Sequence, residues 1–397
     1  MSDPTDEYPA PARSMRPNPG GALAPDHVVG RDLLIDQFWQ TLHVQSLALL
    51  APRRIGKTSI MVRMELLAPE GFVVARRNLE GLESTSEFAQ VLLEDVEQLL
   101  GTWKTKALRA REFLAKLGVV ELHKIKLELR GVGWKRLLER LFDDLQEQLE
   151  LHDRTLVLMW DEVTLFIAQL INSGGASDAM LLLDLLRAIR QSHSRVRMVL
   201  TGSIGFGELL RRLRREHGYR NRPLNDVAQR LVPLLATGGA EALICALLRD
   251  AEQAREPAFI NEIVRVSEGH PFVIQLLVER LLQQPVPSRA DIPGCLAALM
   301  TPPGDPLDLN HYLDRLEREL DPDAAALARA VLDVLASSPT ALDRAGVCAV
   351  LAGHPRDGVL ATIRILEDDF YLRRIEHDRL DFMFGFLRRF WIAERGL

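Results

Sequence analysis

An α/β fold built on a parallel sheet is what this 397-residue sequence predicts, and three observations carry that prediction. Short apolar runs near 46–51, 72–77, 155–160 and 196–201 alternate with helical patterns, which is the signature of parallel strands joined by helices. The first run breaks at Pro52, crosses a short basic loop and reaches Gly56-Lys57-Thr58, where a helical pattern takes over at Ser59. The third run ends in Asp161-Glu162, placing two acids at the C-terminal end of a strand.

Composition bounds the class. Hydrophobic residues make up 47% and charged residues 26%, ordinary values for a globular chain. The net charge of −6 argues against a wholly basic nucleic-acid binder, while local patches remain open. No run of 18 apolar residues exists, so no membrane span is expected. Residues 1–27 are proline-rich without an apolar centre, which reads as a disordered tail rather than a secretory signal. Cys245, Cys295 and Cys348 form no close pair, so buried inert thiols and a reducing, cytoplasmic setting are expected.

Residues 28–235 form the expected core. Val28-Val29-Gly30-Arg31 precedes a first helix over Asp32–Leu42. Strand, loop, Gly-Lys-Thr and helix in succession is the construction that holds a nucleoside triphosphate. Pro52, Arg53, Arg54, Ile55, Gly56, Lys57, Thr58 and Ser59 would surround its phosphates with loop and helix N-terminus. Lys57 can reach the β- and γ-phosphates, and Thr58 can bind Mg2+. Ala51 stands where the motif has its first glycine, so position 51 must keep a conformation open to any L-residue. Gly30 and Arg31 fit the base of the nucleotide, or equally an N-terminal strand and cap.

Residues 117–133 alternate polar and apolar side chains and read as an exposed strand or hairpin inserted in the core. Lys124, Lys126 and Arg130 there suit a solvated face, or alternatively a docking edge for a partner. A charged amphipathic helix over 134–149 leads into the strand that ends at Asp161. In a P-loop enzyme that Asp holds the Mg2+ shell, and the adjacent Glu162 polarises water for attack. The next strand ends in Thr201-Gly202-Ser203, and either hydroxyl can stand between the water and the γ-phosphate. A hydrolase elbow at Gly202-Ser203-Ile204-Gly205 is excluded, because Thr201 stands where the first glycine belongs. Arg211, Arg212, Arg214, Arg215, Arg220, Arg222 and Arg230 follow. They read as a solvated face paired with Glu208 and Glu216, or as an arginine finger, or as a grip on nucleic acid.

Helical spacing returns over 236–284 as a small lid, followed by a proline-rich linker over 285–306 and a helical domain over 307–397. Helices are expected over 324–335, 341–351 and 359–368, with a β-wing over 371–384. The candidate recognition helix, 359–368, carries Arg364 against Glu367 and Asp368, which is poor for phosphate contacts. Phe382, Phe384, Phe386, Phe390 and Trp391 read as core.

Val-Gly-Arg, Pro-Arg-Arg-x-Gly-Lys-Thr, a strand with Asp-Glu and Thr-Gly-Ser occur here in that order. Together they resemble the archaeal-type ATPases of the STAND branch of AAA+ P-loop proteins, a branch with bacterial members. Gly269-His270-Pro271 is similar to the Gly-x-Pro of the STAND lid. That likeness implies that His270 and Pro271 lie against the nucleotide and report its state. Residues 366–372 and 381–391 look like the family's terminal winged helix. The resemblance covers about residues 28–397 and implies an ATPase switch using ATP and Mg2+. In it, lid and winged helix would move with nucleotide state, toward a protein partner or self-association. DNA binding through the winged helix or the arginine cluster is the alternative. No Asn-Lys-x-Asp guanine reader is present, which favours ATP over GTP.

Overall fold

The computed structural model describes residues 15–21, 23–102, 133–202, 205–249, 256–300 and 304–397. The expected hairpin insertion lies almost wholly outside the described residues, as do Ser203 and Ile204. The chain divides into two compact units that do not follow a single cut in the sequence. One, the sheet unit, takes Leu33–Ala51 and Lys57–Val232. The other, the C-terminal unit, takes Met1–Asp32, Pro52–Gly56 and Pro233–Leu397.

In the sheet unit, β1 (Leu47–Leu50), β2 (Phe72–Asn78), β3 (Thr155–Asp161), β4 (Val196–Thr201) and β5 (Ala228–Leu231) form one parallel sheet in the order β2-β3-β4-β1-β5. The helices are α1 (Asp32–Leu42), α2 (Lys57–Leu66), α3 (Thr85–Thr102), α4 (Gly133–Leu151), α5 (Val163–Asn172), α6 (Ala176–Ser192) and α7 (Phe206–His217). Burial explains why β3 is apolar from Leu156 to Trp160: Leu156 to Asp161 are all buried, as a strand covered on both faces must be. In α4 a stripe of Trp134, Leu137, Leu138, Leu141, Phe142, Leu145 and Leu149 is buried together with one acid, Asp144, while most of the helix's other charges lie off that stripe. Strand β5 was not foreseen. It has only four residues, three of them exposed, so no apolar run marks it. It is held by pairing to β1 and by the Arg190 guanidinium, which donates to both oxygens of Asp226 at 2.8 and 3.0 Å.

The C-terminal unit begins with α8 (Thr237–Leu247), α9 (Pro257–Ser267), α10 (Pro271–Leu282) and α11 (Asp291–Met300), which pack on one another. Beyond them lie α12 (Asn310–Glu319), α13 (Pro322–Ser337), β6 (Leu342–Asp343), α14 (Arg344–Val350), α15 (Arg356–Asp368), β7 (Leu372–Arg374), β8 (Arg379–Phe382) and α16 (Gly385–Arg395). The three short strands pair antiparallel in the order β6-β8-β7. Asp321 and Asp343 cap α13 and α14 by accepting from Ala324 N–H and Gly346 N–H. Phe382, Phe384, Phe386, Phe390 and Trp391 are all buried, and Trp391 Nε1 donates to Asp333 at 2.8 Å. Within the segment read as a tail, Met15 is buried and its N–H donates to Ala246 O. The cysteines depart from expectation: Cys295 is buried but Cys245 is exposed, because it falls on the outer side of α8. Among the described residues, no helix is long and apolar enough to cross a membrane.

Candidate functional site

The strand order decides which side chains meet. β4 lies between β1 and β3, so the C-terminal end of β4 stands between the strand that feeds the phosphate loop and the strand that carries the acids. This is the end at which open parallel sheets bind ligands. Asp161, at the end of β3, is buried, and its carboxylate accepts from three donors. Thr58 Oγ1 donates to one oxygen. Thr201 Oγ1 donates to the other, which also accepts the Glu162 N–H at 3.1 Å. Two residues foreseen as metal ligands, Thr58 and Asp161, are therefore in direct contact, and Thr201 completes the group. Glu162 caps α5 with left-handed backbone, φ 56. A non-glycine residue in that region is strained, and such strain concentrates at functional sites.

Lys57 opens α2 and is buried, with Nζ donating to Ala51 O at 2.9 Å. The lysine thus satisfies a carbonyl at the loop's start while its ammonium stays at the mouth of α2. Ala51 is not among the residues with positive φ; the left-handed positions are Arg54 (φ 63) and Gly56 (φ 96). An alanine at the motif's first position is consequently free of strain, as the sequence required.

The C-terminal unit holds the rest of the foreseen residues. Arg31 is buried, and its guanidinium donates to Pro233 O at 2.8 Å and to Ile55 O at 3.5 Å. Burial lowers its pKa to about 10. Its donors are aimed at backbone carbonyls, so Arg31 ties the loop tip to the turn before α8. Gly30 has φ 68, and a Cβ there would sit 2.7 Å from Gly239 Cα, so only glycine allows this approach. His270 caps α10 and Pro271 is its first residue. The His270 ring is buried edge-on to Phe384 and Phe386, at 5.1 and 5.7 Å between centroids, and Nδ1 has no hydrogen-bond partner. Burial, reinforced by Arg31 and Arg54, lowers its pKa to about 3. Arg53 and Arg54 both approach Asp308, and Arg54 also lies over the Phe272 ring. Asp308 and Phe272 were not foreseen. Neither stands in a motif, and only the fold brings them to the loop arginines.

The arginine cluster splits in two. Arg212 and Arg215 pair with Glu216 at 3.0 and 2.9 Å, and those bonds, Arg215 first, hold the Glu216 carboxyl below its usual range. Arg214, Arg220 and Arg222 instead line an open depression of about 630 Å3 with Gly218 and Tyr219. Arg230 is exposed on β5.

No family model and no curated protein sequence matches the chain. Among solved structures, a Walker-type ATPase of Pyrococcus abyssi matches 91% of this chain and 95% of its own, with 17% identity and a TM-score of 0.60. The ORC2 protein of Aeropyrum pernix, solved as ADPNP–ADP complexes, matches 92% and 95% with 11% identity and a TM-score of 0.50. At such identities the likeness establishes the fold: an α/β P-loop nucleoside-triphosphatase core followed by a helical C-terminal part.

Proposed function

We propose that this protein binds and hydrolyses ATP with Mg2+, as a switch of the STAND/AAA+ type. The observation that carries the reading is the Asp161 carboxylate joined to both the Thr58 and the Thr201 hydroxyls at the ligand-binding end of the sheet. The adjoining hydroxyl and carboxylate are hard oxygen donors, the set that suits Mg2+ held together with phosphate oxygens. When bound there, Mg2+ would neutralise charge on the phosphates. Lys57 would exchange its Ala51 carbonyl partner for phosphate oxygens, a stronger, charge-assisted hydrogen bond. Thr58 and Asp161 would hold the metal, Glu162 would accept the proton of the attacking water, and Thr201 would orient it. Ser203 shares that last assignment from sequence. The P-loop likeness of the ADPNP–ADP-bound ORC2 structure supports adenine nucleotide as substrate. In the C-terminal unit, helices α13 to α15 with the β7–β8 pair support a winged-helix reading, and buried His270, with Pro271 opening α10 behind it, supports the lid assignment.

Lys57→Ala is expected to abolish ATP binding by calorimetry. Glu162→Gln is expected to retain binding while turnover falls about a hundredfold or more. Unchanged turnover in Glu162→Gln sinks the hydrolytic assignment. The depression lined by Arg214, Arg220 and Arg222 favours a second reading, an ATPase that acts on DNA.

A further inference from the structure

Arg53 and Arg54 precede Ile55-Gly56-Lys57-Thr58 in the phosphate loop, and both reach one carboxylate. Arg53 Nη1 and Arg54 Nε each lie 3.3 Å from Asp308 Oδ2. The Arg54 guanidinium also covers Phe272, 4.3 Å from its ring centroid. From the N-terminal segment, Gly20 comes so near that a Cβ there would be 3.3 Å from Arg54 Nη1. All of these groups belong to the C-terminal unit.

The turn that presents Asp308 is built for the purpose. Asp305 and Asp308 both have left-handed backbone, φ 42 and 56. Asp305 turns its carboxylate inward, accepting from Leu309 N–H at 2.8 Å and Asn310 N–H at 2.7 Å, and so holds the turn and the start of α12. Asp308 turns its own outward to the arginines. One carboxylate facing two guanidiniums leaves a positive charge over, and polyphosphate oxygens are the better partner for paired arginines. The pairs are half-exposed, so they are weak enough to exchange.

We propose that Asp308 is an internal stand-in for phosphate: it occupies Arg53 and Arg54 in the resting chain and gives them up to the phosphates of a bound nucleoside triphosphate. Release of Asp308 then frees the 304–308 turn, which carries the phosphate signal to α12. This deepens the ATP-binding reading and rests on it.

The test uses the full chain and Asp308→Asn, an isosteric change that tolerates left-handed backbone. Without nucleotide, amide exchange over residues 53–56 is expected to be faster in the variant. In the wild type, raising the salt from about 0.05 to 0.5 M is expected to speed the same exchange, and to have little effect in the variant. With Mg2+ and a fluorescent ATP analogue, Asp308→Asn is expected to bind about three- to tenfold more tightly, the worth of two weak surface pairs. Adding Arg53→Gln and Arg54→Gln to the variant removes the gain. Nucleotide binding by the wild type that Asp308→Asn leaves unchanged or weakens overturns the latch alone. Absence of binding in both proteins overturns the latch and the ATP reading together. Binding seen only in the variant supports both.

Discussion

Asp161 and His270 show how much a single buried polar group decides. Asp161 has two hydroxyl donors, so Thr201→Val removes one partner from a buried carboxylate and one donor from the reaction's edge. Turnover is expected to fall at least tenfold while nucleotide affinity stays within a few-fold, a split that steady-state kinetics beside calorimetry would read. Equal losses in binding and turnover would assign Thr201 a purely structural part. His270 sets a pH dependence. Folded, it stays neutral until about pH 3, because it is buried and faces the charges of Arg31 and Arg54. Unfolded, an imidazole takes its proton near pH 6.5. The unfolded chain therefore binds more protons below that point, so stability is complete above pH 6.5 and is lost as the pH falls toward 3. His270→Asn is expected to flatten the wild-type loss of stability across that window, by an amount on the order of a few kcal/mol at its acid end, read as a shallower fall in Tm. Parallel Tm curves for the two proteins would show that the ring does not carry the effect.

At the scale of elements, a close approach of two backbones fixes how the segment before α1 meets α8. Gly30 combines φ 68 with a Cβ position 2.7 Å from Gly239 Cα, so Gly30→Ala meets both backbone strain and a clash. The expected loss is about 2–4 kcal/mol by denaturant unfolding. Gly71→Ala is the control: φ is 91 but nothing lies within 4 Å, so only about 1–2 kcal/mol is expected. Losses of equal size would show that strain alone governs both positions. The inner strands were legible because each is a short, mainly apolar run, broken in β4 only by Arg197, and α1 because Asp32 and the spacing after it mark a helix start. Thr58, Asp161 and Thr201 were each singled out at motif positions in the sequence, and the sheet brings the three side chains into contact. Strand β5 was not, because its neighbours and the Arg190–Asp226 pair hold it rather than its own side chains. Asp308 was invisible for a related reason: its meaning comes from a partner more than 250 positions away in the chain.

Across the whole molecule, charge is unevenly spent. The net charge of −6 sets no general attraction for polyanions, yet Arg214, Arg220 and Arg222 gather on one open depression while Arg212 and Arg215 are engaged by Glu216. The candidate recognition helix α15 offers no comparable patch, because Glu367 at its end draws Arg344 and Arg374 into ion pairs. If duplex DNA binds, the arginines of the depression rather than α15 are therefore the expected phosphate contacts. Each phosphate neutralised contributes about 0.9 to the slope of log affinity against log salt. Changing Arg214, Arg220 and Arg222 together to Ala should weaken binding of a random-sequence duplex and lower that slope by about two to three. Fluorescence anisotropy over a salt series gives both quantities at once. An unchanged slope with Arg364→Ala reducing it instead would move the contact to α15, and no binding by the wild type at low salt would remove DNA from the account and leave the depression to a protein partner's acidic groups.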